Sequence, residues 1–169
     1  MRRALPLTAL LLLSGCGFHP LYEPGPKTAS MTGQMDQIDI GLIPDRSGQL
    51  LREALEADLQ GGSGPTFYRY HLGVQYGVSV QAIGIQPDSS NSRLRYFATA
   101  SWTLTPEGNL TAPLAKGNAQ AVDSLNVIDN QFFALSLQGN QVQHVLAREL
   151  ATQISQELAI YFRKHPGNP

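Results

Sequence analysis

The chain predicts an α+β fold, a two-layer sandwich with two helices packed on one face of a four-stranded mixed sheet, in the order β-α-β-β-β-α. Three observations lead there. Residues Tyr68 to Val80 alternate apolar and polar without a break, and Leu94 to Leu104 alternate almost as cleanly. Between Val142 and Tyr161, apolar residues recur every three or four positions. Alternation marks a strand with one buried face, and recurrence at three to four marks an amphipathic helix. One-sided strands and one-sided helices satisfy each other by stacking in two layers.

The first strand is expected from Met35 to Ile43. Ile38, Ile40 and Leu42 share one face, and Gln37, Asp39 and Gly41 share the other. Pro44 stops it. Asp45 or Ser47 can cap the helix that follows, in which Leu51, Leu55 and Leu59 stand four apart. Gly61-Gly62-Ser63-Gly64-Pro65 ends that helix and acts as a linker. If the strands flanking the helix are parallel, their crossover is right-handed.

The second strand places Tyr68, Tyr70, Leu72, Val74, Tyr76, Val78 and Val80 on one face. The apolar residues shift to odd numbers at Ile83 and Ile85, which predicts a bulge or the strand's end. Gln86 to Ser92 reads as a polar loop. On the third strand Leu94, Tyr96, Ala98, Ala100, Trp102 and Leu104 face one way, and Arg93, Arg95, Thr99, Ser101, Thr103 and Thr105 face the other. Phe97 is the exception on that polar face. Pro106-Glu107-Gly108-Asn109 is turn chemistry and makes a hairpin. A fourth strand from about Pro113 to Leu125 carries Ala115, Gly117, Ala119 and Ala121 on one face, small enough to pack closely beneath a helix. Phe132-Phe133 lies in the connection to the last helix, either in the core or at a partner contact. Gly139-Asn140 precedes that helix, whose stripe is Val142, Leu146, Leu150, Ile154, Leu158 and Tyr161, and His165-Pro166-Gly167 ends it.

Ahead of the domain, Arg2 and Arg3 precede an apolar run from Ala4 to Leu13, and Leu13-Ser14-Gly15-Cys16 follows. Positive start, apolar middle and small residues at a boundary form a bacterial export signal. The run is too short to span a bilayer, which takes about 20 apolar residues. Leu-Ser-Gly-Cys resembles a lipobox, the motif of bacterial lipoproteins. That resemblance implies cleavage before Cys16, a diacylglycerol on its thiol and an acylated amino terminus, so Cys16 is the expected lipid-attachment site. Three chains hold a protein to a membrane where one holds only marginally. Cys16 is the single cysteine, and lipidation leaves none for a disulfide.

The expected organisation is residues 1–15 as a removed signal, 16–33 as a lipidated tether, 34–165 as one domain and 166–169 as a short polar tail. The tether is rich in Pro and Gly, with Phe18, Leu21 and Tyr22 as a small apolar cluster. Charged residues make up 15% of the chain, with formal net charge −1. Loss of Arg2 and Arg3 leaves a weakly acidic balance, which argues against nucleic-acid binding.

No catalytic constellation is present in the sequence. His19, His71, His144 and His165 are scattered without metal-ligand spacing and read as solvated. Gly61-Gly62-Ser63-Gly64 lacks the Lys-Ser/Thr of a phosphate loop, and no Gly-x-Ser-x-Gly occurs. Neither a cofactor nor a metal is expected. Arg93 and Arg95 share the polar face of the third strand, about 7 Å apart, and Lys116 is expected on the same sheet nearby. Two readings are open: a site for an anionic lipid headgroup, or ordinary solvated charge.

Cys16-Gly17-Phe18-His19-Pro20-Leu21-Tyr22 resembles the start of mature lipopolysaccharide-assembly lipoproteins of the LptE family, where an aromatic follows Cys-Gly. Arg93-Leu94-Arg95-Tyr96 through Trp102 is similar to that family's third strand. Ser124-Leu125-Asn126-Val127 and the helix through Ala147-Arg148-Glu149-Leu150-Ala151 are similar to its carboxy-terminal part. The resemblance implies a non-enzymatic outer-membrane lipoprotein, lipid-anchored on the periplasmic side. It implies LptD, a β-barrel whose lumen the family plugs, as partner, and a role in assembling lipopolysaccharide at the outer membrane. It also implies lipopolysaccharide binding by basic residues near one end of the sheet, where Arg93 and Arg95 are the counterparts by position. Ala134 to Asn140 carries no Lys or Arg, a departure from the family. Gly17, in place of the aspartate that retains lipoproteins at the inner membrane, fits outer-membrane sorting. A competing reading is a lipoprotein accessory subunit of a lipid-trafficking ABC transporter, of similar size and anchor but partnered at the inner membrane.

Overall fold

The computed structural model describes residues 33–61, 67–83, 93–127 and 132–166, with side chains of the last stretch from 135 onward. Cys16, the cluster Phe18, Leu21 and Tyr22, Ile85, the loop from Gln86 to Ser92, and most of the Gly61–Pro65 linker lie outside the described residues.

Six elements follow one another: β1 (Ile38–Ile40), α1 (Asp45–Gln60), β2 (Tyr70–Ala82), β3 (Arg93–Pro106), β4 (Ala115–Asn126) and α2 (Phe132–Lys164). The sheet order is β1-β2-β3-β4. β1 pairs parallel to β2, while β2–β3 and β3–β4 are antiparallel, so the sheet is mixed as expected. Both helices lie on one face.

β1 is shorter than its alternation predicts. Met35 ends a helical turn, and Leu42 is 79% exposed in the connection to α1. Pairing with β2 ends at Ile40–Leu72, because the chain must leave the sheet for the crossover to α1. That helix buries Leu51, Leu55 and Leu59 as their spacing requires, each burial stabilising by about 1.5–3 kcal/mol. Neither Asp45 nor Ser47 caps it. The N-cap is Pro44, without a side-chain hydrogen bond, and Asp45 adopts φ 68°. At the other end Gly61, at φ 57°, supplies the left-handed turn that closes the helix.

α2 begins ten residues before the valine at which the stripe starts, so Gly139-Asn140 lies inside it and Phe132-Phe133 opens it. Propensity argued for a break at Gly139-Asn140, but packing over the sheet overrides it: a Cβ at Gly139 would come 3.5 Å from the Tyr96 hydroxyl. The predicted stripe is buried from Val142 to Leu158, but Phe162 rather than Tyr161 completes it. A second stripe of small residues, Ala147, Ala151, Ser155 and Ala159, is also buried. α2 therefore needs two buried sides, since it contacts both the sheet and α1.

On β2, Tyr70, Leu72 and Val74 are buried but Val80 is half exposed. The helix of 16 residues spans about 24 Å. The strand of 13 spans about 43 Å, so a helix of that length cannot cover all of it. Trp102, Ala98, Ala100, Ala119 and Ala121 fill the core beneath α2, as the small face of β4 predicted.

Candidate functional site

The side of the sheet away from the helices is uncovered by any described element. In cross-strand rows it presents Gly73, Thr103 and Lys116, then Gln75, Ser101 and Asn118, then Gly77, Thr99 and Gln120. Hydroxyls and amides dominate, and charges are few. Glycine leaves a groove of about 420 Å³ along this face, lined by Gly41, Leu42, His71, Gly73, Val74, Gln75, Ser101 and Thr103. His71 is not the solvated histidine its position suggested. It is partly buried, and its Nδ1 lies 2.9 Å from Asp39 Oδ2, its register partner on β1. Gly41 makes room for the ring: a Cβ there would come 3.2 Å from two of its atoms.

The cationic pair lies at one end of the same face. Arg93 Nε and Nη2 both donate to Ser124 Oγ, at 3.1 and 2.6 Å. The Arg95 guanidinium stands 5.9 Å from the Phe97 ring centroid, a cation–π distance. Phe97 faces Val122 across the strands, and Val122 is half exposed. The two arginines thus border a small apolar patch, and the combination can hold an anionic group beside apolar surface. Phe97 and Val122 were not read as site residues. Their signal was there, since each is an apolar interruption in a polar row.

Lys116 does not join this cluster. Arg95 is opposite Ser124 and Lys116 is opposite Thr103. At about 3.3 Å per residue they stand roughly 26 Å apart along the sheet. The hairpin register sets Lys116 near the turn between β3 and β4, and Arg93 and Arg95 at the opposite end of the two strands.

Of the remaining histidines, His144 is exposed. His165 stacks on Tyr161 with ring centroids 4.5 Å apart, and its Nδ1 lies 2.9 Å from the Tyr161 carbonyl. Among the described residues no group of three His, Cys, Asp or Glu side chains could hold a metal ion. No helix among them is long and apolar enough to cross a membrane.

No protein-family model matches the chain, and no curated protein sequence matches it. Solved structures do. A protein from Caulobacter crescentus CB15 described as a lipoprotein aligns with TM-score 0.61 and 24% identity, over 82% of this chain and 98% of its own. A minor lipoprotein from Acinetobacter baumannii aligns with TM-score 0.59 and 14% identity, over 75% and 92%. The rare lipoprotein B of Shewanella oneidensis aligns with TM-score 0.55 and 11% identity, over 73% and 94%. At these identities the likeness establishes the fold.

Proposed function

We propose that this chain is a lipid-anchored outer-membrane lipoprotein that plugs and scaffolds an LptD-like β-barrel. In this role it binds lipopolysaccharide during its assembly at the outer membrane, and it catalyses nothing. The observation that carries the reading is the open sheet face. A wide hydroxyl- and amide-rich surface with few charges suits the wet lumen of a large barrel, whose interior is polar. The boundary Leu13-Ser14-Gly15-Cys16 supports the lipid anchor, as does the likeness in fold to three lipoproteins. Arg93 and Arg95, beside Phe97 and Val122, supply cations next to apolar surface, the two chemistries an amphiphile with phosphates offers.

The test is photo-cross-linking in cells from positions Ser101 and Thr103 on the open face and from Glu149 on the outer side of α2. Adducts with an outer-membrane barrel from the first two support the reading. A lipoprotein that never co-purifies with an outer-membrane protein, or that fractionates with an inner-membrane transporter, defeats it.

A further inference from the structure

The sheet has two edges, and they are unlike. β1 offers three residues, while β4 offers 12. On an antiparallel edge strand every second residue turns its N–H and C=O away from its neighbour. Such a row is a template for pairing with another chain. Gln120 is one of these residues, and both its backbone groups are already taken by one side chain. Its N–H donates to Gln153 Oε1 at 3.2 Å, and its C=O accepts from Gln153 Nε2 at 3.0 Å. The carboxamide of Gln153, reaching over from α2, presents to β4 the donor and acceptor that a fifth strand would present. Four residues on, in the same phase, the Ser124 N–H donates to Asp123 Oδ1 at 2.7 Å.

We propose that Gln153 is an edge latch that keeps β4 from pairing with β4 of a second copy of this chain. Three points select that partner. Antiparallel pairing centred on Gln120 would set Asn118 against Val122 and Lys116 against Ser124, with no like charges opposed. The chain has 15% charged residues, and its formal net charge of −1 becomes only −3 once Arg2 and Arg3 are lost (10 Lys and Arg against 13 Asp and Glu), so repulsion between copies is small. β1 is protected by its shortness, whereas β4 is long and needs another device. The latch itself adds little to stability, because two neutral hydrogen bonds roughly offset the entropy of fixing a long side chain. Its effect falls on association, which separates it from a merely structural contact.

The experiment compares the mature lipoprotein with its Gln153→Ala and Asp123→Ala variants in detergent. Light scattering with the detergent mass subtracted gives the oligomeric state, and amide hydrogen exchange reads β4. The wild type is expected to be monomeric, with the Gln120 amide protected and those of Asn118 and Val122 exchanging fast. Gln153→Ala is expected to double in protein mass as concentration rises, with Asn118 and Val122 becoming protected. Asp123→Ala opens the edge by a second route and is expected to shift the same way, more weakly. Native-like Trp102 fluorescence in both variants guards against misfolding. A folded Gln153→Ala variant that stays monomeric overturns the proposal. So does one that dimerises while Asn118 and Val122 still exchange fast.

Discussion

The indole Nε1 of Trp102 donates to Glu157 Oε2 at 2.8 Å, and Gly117 is the residue that lets them meet. Trp102 sits on β3 facing Gly117 of β4 in register, and Glu157 comes from α2 above. A Cβ at position 117 would lie 2.6 Å from the Glu157 carboxylate and 2.7 Å from the Trp102 ring. A buried indole N–H without an acceptor is costly, so one glycine holds sheet, helix and hydrogen bond together.

Gly117→Ala should therefore destabilise the domain by about 1–3 kcal/mol, as overpacking does. Chemical denaturation followed by Trp102 fluorescence checks it. Glu157→Gln keeps an acceptor oxygen and should cost less than Gly117→Ala. The reverse order would show that the hydrogen bond, not the space, dominates.

Gly48→Ala sets two effects against each other. Alanine favours an exposed helix interior over glycine by about 1 kcal/mol. Here a Cβ would come 2.7 Å from Ile43 Cγ2 and 2.9 Å from the Ile43 carbonyl oxygen. Backbone cannot yield as a flexible side chain can, so the clash wins and the melting temperature should fall. A rise would mean that the connection between β1 and α1 shifts freely.

Tyr76 is pushed above the ordinary tyrosine range by burial, and its hydroxyl is buried without a partner among the described residues. With the folded value raised, the unfolded chain gives up its proton first as pH rises. Stability from this group is thus complete below about pH 10, the unfolded value, and is lost as pH climbs toward the folded value. Tyr76→Phe should flatten that alkaline loss and leave neutral-pH stability unchanged or slightly higher. Urea midpoints at pH 8 and above 10 decide it, and a parallel loss in both proteins would assign the effect elsewhere.

Arg93→Glu with Arg95→Glu should weaken lipopolysaccharide binding by tenfold or more, given about 1.5–3 kcal/mol for each hydrogen bond to a charged group. The fold should survive, since both side chains are exposed. Lys116→Glu, roughly 26 Å away along the sheet, should change binding far less. Equal losses from both changes would return the arginines to general charge.

Much of the architecture was legible in residue spacing. Leu51, Leu55 and Leu59 announced one buried helical face, and the even-numbered residues of β2 and β3 announced one buried sheet face. The extent of burial was not legible. Val80 continues the pattern of Leu72, but is half exposed. The stripe of Ala147, Ala151, Ser155 and Ala159 carries too little hydrophobicity to stand out in sequence, yet it forms part of the buried side of α2. For the candidate site, the arginine pair could be read from alternation. The Phe97 and Val122 pairing could not, because it depends on the register between two strands.

By itself the sequence determined the element types, their order, and the polar and apolar faces of the strands. These follow from local periodicity and from short motifs, which need no partner. Only the tertiary structure decided where strands end, which side chains meet across them, that Lys116 stands apart from Arg93 and Arg95, and that His71 pairs with Asp39. Those depend on register and on helix placement. Both are settled by contacts between residues distant in the chain, as between Gln153 and Gln120 or Glu157 and Trp102, which spacing along one segment does not encode.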